Sequence, residues 1–235
     1  MRRTCHIIWY NEIDSTNSEA ARRLGELDNM SVIAARCQTA GRGKDTRKWL
    51  AAPGENLTFT LVLKYAEDGT TGRTGTDGAA PSWPPFPASC QMLLSAAAAA
   101  GVVNFLGEQG ISAWVKWPND VYVGHGKICG ILIEHRTGGN VLKSSIVGIG
   151  LNLNQTAFPP ELVNPVSVAS LTGRRLDTDA SLEHLCGILS EKISSVYREL
   201  PHLRDVIART LAPEDGASGD ENLRACFTQC VNILL

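Results

Sequence analysis

The sequence lacks an excess of charge of either sign. It contains 22 Lys and Arg residues against 24 Asp and Glu residues, which gives a net charge of -2 over 235 residues. A protein that grips nucleic acid or an anionic membrane through its overall field needs a basic surplus. We therefore expect no nucleic-acid partner and no membrane partner, and any basic site must be local.

Cysteine motifs and long apolar runs are also missing. The seven cysteines are scattered, with no CxxC pair and no Cys/His cluster, which argues against a disulfide framework and a structural zinc site. Met1-Arg2-Arg3 is followed by a segment too short and too polar to be a secretory signal, and no uninterrupted apolar run reaches about 18 residues. The cytoplasm is the compartment that fits best.

The common nucleotide-binding fingerprints are absent too. No GxxxxGK[ST] sequence occurs, so an ATP site in this chain would not be a P-loop. The run Gly148-Ile149-Gly150 lacks the GxGxxG spacing, and no helix-forming stretch follows it directly. A dinucleotide-binding fold is therefore not indicated.

Short strands and helices mix without strict βαβ alternation, which favours an α+β fold over a doubly wound sheet. The segment Asn56–Leu63 is expected to bury one face, because apolar and polar residues alternate in its first half. Strands are predicted at Ile7–Tyr10, Ser31–Arg36, Asn56–Leu63, Trp114–Trp117, Ile128–Glu134 and Ser145–Leu153, and helices from Ser15 to about Leu27, at Ser89–Leu106 and at Leu182–Leu200.

Two segments interrupt this pattern. Glu67–Pro87 has no periodicity and is rich in Gly, Thr and Pro, so we expect a mobile surface insertion. After Leu200 only about 35 residues remain, including a polar patch at Glu214–Asn222. We predict one domain over residues 1–212, with residues 213–235 as a short tail or remnant.

The basic loop Gly41–Trp49 carries the densest functional pattern. Its two glycines let backbone N–H groups approach an anion, and its four cations supply charge for a phosphate or carboxylate. Trp49 offers a flat apolar face that suits a base. A solvated basic turn has the same composition, so the loop alone leaves both interpretations open. Its cations are Arg42, Lys44, Arg47 and Lys48.

A second polar group interrupts the apolar sequence around Pro118. Proline restricts the preceding residue to extended backbone, so Asn119 and Asp120 are expected at a strand end that faces a cleft. Asp120 suits Mg²⁺ coordination, and Lys127 suits contact with a carboxylate or phosphate. A plain hairpin closed at Gly124–Gly126 is the alternative.

Five motifs, in this order and spacing, resemble those of the biotin protein ligases. The resemblance covers roughly residues 7–200 and implies the biotin/lipoate ligase-type catalytic domain, a mixed sheet with helices on one side that is similar to the class II aminoacyl-tRNA synthetases. The motifs are Asp14-Ser15-Thr16-Asn17, Gly41-Arg42-Gly43-Lys44, Lys116-Trp117-Pro118-Asn119-Asp120, Lys127 with Gly130–Glu134, and Gly148-Ile149-Gly150-Leu151-Asn152.

The resemblance implies an activity and its ligands. Biotin and ATP would be joined into biotinyl-5′-adenylate with Mg²⁺ present, and biotin would then pass to one lysine of a carboxylase's biotin-carrier domain. The enzyme would be a monomer or a homodimer. A lipoate or octanoate ligase or transferase of the same superfamily, and a non-catalytic binding module, are the alternatives.

The resemblance also assigns roles to residues. The biotin pocket and its ureido contacts would come from Ser15, Thr16, Asn17 and Gln38, and the closing loop from Gly41, Arg42, Gly43 and Lys44. Lys127 would bridge the biotin carboxylate and the α-phosphate, and Asp120 would hold Mg²⁺. The nucleotide side would involve Trp49, Lys116, Asn119, Gly130 and Asn152.

The chain departs from the family pattern in its loop and at its ends. Bacterial relatives commonly have Gly-Arg-Gly-Arg-x-Gly-Arg, whereas this chain has Lys44-Asp45-Thr46, so we expect looser retention of the adenylate and weak labelling of non-cognate lysines at most. We also expect neither a DNA-binding domain before residue 7 nor a full β-barrel-like domain after residue 200.

Overall fold

One mixed sheet organises the chain, and a computed structural model describes residues 5–44, 47–66, 82–210 and 219–235. The strands are β1 (His6–Ile13), β2 (Ser31–Gln38), β3 (Leu57–Lys64), β4 (Phe86–Pro87), β5 (Trp114–Lys116), β6 (Asp120–Val123), β7 (Gly126–Gly138) and β8 (Val141–Leu151). The helices are α1 (Thr16–Arg22), α2 (Met92–Glu108), α3 (Val168–Thr172), α4 (Thr178–Thr210) and α5 (Gly219–Leu234).

The strand order is β1-β2-β3-β8-β7-β6-β5, with β4 paired to β8 beyond the end of β3. Strands β1 and β2 are parallel and are connected through α1, whereas the other pairs are antiparallel. This arrangement confirms the predicted mixed sheet. It places β3, β8 and β7 in the centre of the sheet.

Alternate residues of the central strands enter two separate apolar clusters. Leu57, Phe59 and Leu61 of β3 belong to the larger cluster, which also contains the buried residues of α2, α4 and α5. Ile33 and Val62 belong to a smaller cluster with Ala20 of α1. The long helices therefore share one side of the sheet, as predicted, while the short helix α1 lies on the other.

Helix α2 is the central helix of the larger cluster. Its residues Ala96–Ala100 are all buried, and a Cβ added at Gly101 would lie 2.8 Å from Cδ2 of Leu189, so small residues let α4 pack closely. The segment Ala88–Glu108 has the length and the mean hydropathy, 1.5, of a membrane-spanning helix, but 67% of it is buried inside the fold. Its apolar character is accounted for by core packing.

The prediction of one buried face for β3 is wrong, because the strand is buried on both faces from Leu57 to Leu63. In the sequence, Thr58 and Thr60 have the spacing of an exposed face. Their hydroxyls are instead hydrogen-bonded inside the protein. Thr58 donates to the carbonyl of Ala35 and Thr60 donates to Asn17. A buried polar group with a partner costs little.

Several predicted boundaries shift. Helix α1 ends at Arg22 instead of about Leu27, and β6 was not predicted as a separate strand. Helix α4 continues through Pro201 to Thr210, whereas the prediction ended before the proline. The rule that helices stop before proline is a tendency, and apolar contacts of Leu203 and Val206 with the core continue the helix here.

The predicted surface insertion is described only in its last residues, since residues 67–81 lie outside the described part of the chain. Trp83 is 4% exposed and stacks on Tyr197 with ring centroids 5.1 Å apart. Phe86 is fully buried and pairs with Leu142 of β8. Trp83 and Phe86 thus belong to the core, while Pro84 between them is exposed.

The segment expected to be a tail contains helix α5, which packs against α2 and α4. Phe227 is 1% exposed and its ring centroid lies 4.8 Å from that of Trp117. Lys192 of α4 donates to the carbonyl of Leu234, which satisfies a carbonyl in the last turn of α5. The division into residues 1–212 and 213–235 stays a prediction.

Substituting Phe227→Ala tests whether α5 belongs to the cooperative core. Loss of a buried aromatic side chain should lower the free energy of unfolding by about 3–5 kcal/mol, measured by urea denaturation. Asn232→Ala, on the exposed side of α5, is the matched control and should change it by less than about 0.5 kcal/mol. A wild-type midpoint for Phe227→Ala would show that α5 is not part of the unit that unfolds.

Candidate active site

A cavity of about 450 Å³ lies over the central strands, on the side of the sheet that carries α1. Most of the predicted site residues line it together, namely Ser15, Thr16, Asn17, Gln38, Arg42, Gly43, Lys44, Trp49, Asn119, Asp120, Lys127, Gly130 and Asn152. These residues come from four separate stretches of sequence, so the sheet brings together what the sequence motifs separate.

Two predicted residues lie elsewhere. Gly41 lies at the base of the basic loop and borders a neighbouring cavity of about 550 Å³ on the other side of Trp49. Lys116 is exposed on β5 and its Nζ lies 5.0 Å from the centroid of the Tyr122 ring. Tyr122 itself lines the main cavity, so Lys116 is one side chain removed from it.

The first wall of the cavity is the start of α1. Ser15, where the sequence predicts that this helix starts, is the N-cap and accepts a hydrogen bond from the Ser18 N–H. Asp14 accepts from the Ser15 N–H and from both terminal nitrogens of Arg22. The Arg22 guanidinium lowers the pKa of Asp14 to about 2, so this surface carboxylate is ionised at neutral pH and holds the turn.

Gln38, at the end of β2, faces the start of α1. Its Oε1 accepts from both the backbone N–H of Thr16, at 2.8 Å, and the Thr16 hydroxyl, at 3.1 Å. Its Nε2 lies on the side of Gly41, 3.1 Å from where a Cβ on that glycine would stand. The two residues thus present a fixed set of neutral hydrogen-bonding groups at this end of the cavity.

Asn17 does not act as an independent ligand contact in this structure. It is 4% exposed, its Oδ1 accepts from the Thr60 hydroxyl at 2.7 Å, and its Nδ2 donates to Oε2 of Glu134 at 2.9 Å. A Cβ added at Gly148 would lie 2.1 Å from Oδ1. Glu134 and Gly148 stand in the sequence motifs, but neither they nor Thr60 were predicted to contact Asn17, because these contacts come from cross-strand neighbours.

The described residues of the basic loop, 41–44 and 47–49, pair with each other over the cavity. Trp49 N–H donates to the Gly41 carbonyl and Gly43 N–H donates to the Arg47 carbonyl. A Cβ at Gly41 would lie 2.4 Å from the Trp49 carbonyl oxygen, so glycine is required at the base. The loop adds four cationic side chains to the lining, Arg42, Lys44, Arg47 and Lys48. The effect predicted for Asp45 and Thr46 concerns residues outside the described part.

Trp49 lies flat on a pair of glycines. Gly130 of β7 and Gly150 of β8 are partners in the sheet, and a Cβ at Gly150 would lie 2.3 Å from the indole. The indole Nε1–H of Trp49 is buried and makes no hydrogen bond with any residue that the structure describes. The glycine pair therefore forms a shelf for a flat ring, which gives this tryptophan a place against the sheet.

The opposite wall carries an ion pair, because Lys127 Nζ lies 2.7 Å from Asp120 Oδ1. The two side chains are 30% and 17% exposed. Asn119 lies in the turn after β5 and Asp120 begins β6. The predicted turn at Gly124–Gly126 is present, but Lys127 lines the cavity and is not merely an exposed residue after a hairpin. Asn119 Nδ2 donates to the carbonyl of Ile131, which fixes this turn to β7.

Asn152 holds the backbone beside the cavity in place. It is 4% exposed, and its Nδ2 donates to the carbonyl of Val166 at 3.0 Å. Lys127 N–H donates to the carbonyl of Asn164, so the segment before α3 is fastened beside Lys127. That segment lines the cavity through Glu161, Leu162, Val163 and Pro165. The sequence did not predict this segment as part of the site, because it has no motif and no regular secondary structure.

The donor set does not form a metal site on its own. No group of three or more His, Cys, Asp or Glu side chains with metal-binding geometry is found in residues 5–44, 47–66, 82–210 and 219–235. Asp120 is a single carboxylate already paired with Lys127. Mg²⁺ commonly takes one or two carboxylates together with substrate phosphates and water, so the arrangement fits an ion that arrives with a polyphosphate.

The cavity thus joins a neutral polar end at Ser15, Thr16 and Gln38 to a strongly cationic end. An organic acid with a neutral polar head group suits the first end, and a nucleoside polyphosphate suits the second. Bringing two anions together needs positioning and charge neutralisation more than a base. The geometry suits the joining of a carboxylate to a phosphate.

Comparison with known proteins agrees with this chemistry. The sequence model of the biotin/lipoate A/B protein ligase family matches residues 9–75 and 76–152. The bifunctional ligase/repressor BirA of Bacillus subtilis is 30% identical over 189 residues, which cover 77% of this chain and 51% of that protein. The biotin--[acetyl-CoA-carboxylase] ligase of Paracoccus denitrificans is 34% identical over 179 residues, which cover 73% and 66%.

Solved structures show the same fold. The biotin protein ligase from Aquifex aeolicus in complex with biotin and ATP has a TM-score of 0.62 and 26% identity, over 81% of this chain and 71% of that one. The ligase from Leishmania major in complex with biotinyl-5-AMP has a TM-score of 0.59 at 19% identity, over 91% and 86%. This chain spans about half the length of the Bacillus protein that it matches.

Substituting Gly150→Ala tests the glycine shelf. The added methyl group would overlap the indole, so Trp49 should leave the sheet and become more accessible to acrylamide, measured by fluorescence quenching. Comparison with Trp49→Phe and with the double variant isolates the signal of this tryptophan. Gly187→Ala, where a Cβ meets nothing within 4 Å, is the control. Unchanged quenching in Gly150→Ala would contradict the shelf.

Proposed function

The chain belongs to the biotin/lipoate A/B protein ligase family, and on that premise we propose that it is an ATP-dependent biotin protein ligase. The observation that carries the proposal is the single cavity in which a neutral polar end continues into a cationic end. Biotin has a neutral ureido head group and a carboxylate tail, and ATP supplies the polyphosphate. The names of the Paracoccus and Aquifex relatives support this choice.

In the first step, an oxygen of the biotin carboxylate attacks the α-phosphorus of ATP. The new O–P bond replaces the bond to the β-phosphate, and pyrophosphate leaves, so the products are biotinyl-5′-adenylate and pyrophosphate. Lys127 neutralises charge where the two anions meet, and Arg42 and Lys44 neutralise it from the loop. Such preorganised cations supply most of the rate in a reaction that needs no protein nucleophile.

Magnesium enters this proposal as part of the substrate. The ion bound to ATP phosphates shields their charge, and Asp120 is the carboxylate of the described cavity wall best placed to reach it, since it lines the cavity beside Lys127.

In the second step, the ε-amine of a lysine attacks the acyl carbon of the adenylate. An amide bond forms, the bond to the phosphate oxygen breaks, and AMP leaves. The amine must lose a proton, and we assign Asp120 as the acceptor because it is the carboxylate beside Lys127. The acceptor is the lysine of a carboxylase's biotin-carrier domain. We place the reaction in the cytoplasm, which the seven free cysteines support.

Biotin-dependent exchange of labelled pyrophosphate into ATP tests the first step. The wild-type protein should catalyse exchange with biotin, and Lys127→Ala should lower the rate by about 100-fold or more, as expected for loss of a preorganised charge. Lys143→Ala, an exposed lysine of β8, should behave as wild type. Exchange with lipoate and not biotin would identify a lipoate ligase instead, and exchange with neither would leave a binding module.

Transfer of biotin from preformed biotinyl-5′-adenylate to a carrier domain tests the role of Asp120. Asp120→Asn removes the proton acceptor, so the transfer rate should fall by about 100-fold, measured by mass increase of the carrier. Asp205→Asn, an exposed carboxylate of α4, is the control. An unaltered rate in Asp120→Asn would rule this residue out as the base.

A further inference from the structure

Glu134 of β7 links the basic loop to the start of α1. Its Oε1 lies 2.9 Å from Arg42 Nη2, and its Oε2 lies 3.1 Å from Arg42 Nη1, which is a two-point guanidinium–carboxylate pair. The same Oε2 accepts from Asn17 Nδ2 at 2.9 Å. One carboxylate therefore joins a loop side chain to a side chain at the start of α1.

Asn17, at the buried end of this connection, is held in place by its hydrogen bonds. Thr60 is fully buried and its hydroxyl donates to Asn17 Oδ1 at 2.7 Å, while Asn17 Nδ2 also donates to the Leu132 carbonyl at 3.3 Å. A flipped Asn17 amide would place its oxygen against the Glu134 carboxylate and that carbonyl, which are both acceptors. The network thus selects one orientation, and the Asn17 N–H points at Glu134.

Glu134 supports Arg42 from outside the cavity. Arg42 lines the cavity, whereas Glu134 is not part of the lining. The backbone of Arg42 also forms a bridge with Lys48 across the hairpin. A contact that holds Arg42 therefore holds the described base of the loop. This contact with Glu134 joins the loop to the sheet in addition to the packing of Trp49 on the glycine shelf.

We propose that Glu134 is a positioning residue that holds Arg42, and with it the described base of the basic loop at residues 41–44 and 47–49, over the adenylate, and that Asn17 and Thr60 hold Glu134 in place. The inference rests on the proposed ligase function and extends it to retention of the intermediate. Because Glu134 acts through Arg42, its removal should open the loop without removing any group that touches biotin or ATP.

The experiment measures release of biotinyl-5′-adenylate from the full chain. The adenylate is formed in place from labelled biotin and ATP, and its dissociation is followed after dilution into unlabelled biotin. Glu134→Gln keeps the size of the side chain and an acceptor for Asn17 but loses the charged pair with Arg42. Release should become about threefold to tenfold faster, and labelling of added serum albumin should rise in proportion.

A matched ion pair controls for simple loss of surface charge. Glu55 accepts twice from Arg175, at 2.9 and 3.0 Å, and neither residue lines the cavity. Glu55→Gln should leave adenylate release unchanged. The Glu134→Gln protein should keep its urea midpoint, because the exposed fraction of its ion pair, 37% for Glu134 and 45% for Arg42, predicts little global stabilisation.

A double-variant test separates a positioning role from an independent one. In an Arg42→Ala background, Glu134→Gln should have almost no further effect, since the contact it supports is already lost. Wild-type release in Glu134→Gln, or an additive effect in the double variant, would overturn the proposal. Absence of biotin-dependent exchange in the wild-type protein would overturn the proposed function itself, so the two failures are distinguishable.

Discussion

The site depends on glycines, which have no Cβ atom, in the central strands β7 and β8. Gly130, Gly148 and Gly150 face the same side of β7 and β8, and side chains at these points would occupy the positions of Trp49 and Asn17. The opposite faces of the same strands bury Ile131 and Ile149 in the larger cluster. The side of the sheet that faces the cavity thus carries few bulky side chains, whereas the side that faces the helices is densely packed. The packed side supplies the stability that lets the other side stay open.

Ion pairs hold two of the cationic side chains at the cavity. Lys127 pairs with Asp120 and Arg42 pairs with Glu134, and both cations have a role in the proposed chemistry. Pairing keeps long, flexible side chains in place and limits repulsion among them. Incoming anions then compete for cations that are already oriented, which lowers the entropy lost when the ligands bind. The two carboxylates differ in place, because Asp120 lines the cavity and Glu134 stands behind its wall.

The sequence predicted the mixed sheet, the core helix and nearly all the cavity residues that belong to motifs. Local patterns were sufficient there, since the Ser15 cap and the glycine-rich loop each depend on neighbours in the chain. Residues whose roles come from sheet pairing were missed. Thr60 looked like a solvent-facing position of an alternating strand, and its partner Asn17 is 43 residues away. Pro201 misled the prediction of α4, because packing of later turns outweighed the local signal. The segment at 161–165 had no periodicity to detect.

The hydrogen bond between Asn17 and Glu134 joins positions 117 residues apart in the chain. Strand β8 contributes Gly148, Ile149 and Gly150 to the cavity lining, and it is one of the central strands of the described sheet. During synthesis, β1, α1 and β2 emerge long before the strand that completes their binding surface. The lining runs from Ser15 to Pro165 along the chain, so binding of the proposed ligands would report that the described sheet is complete.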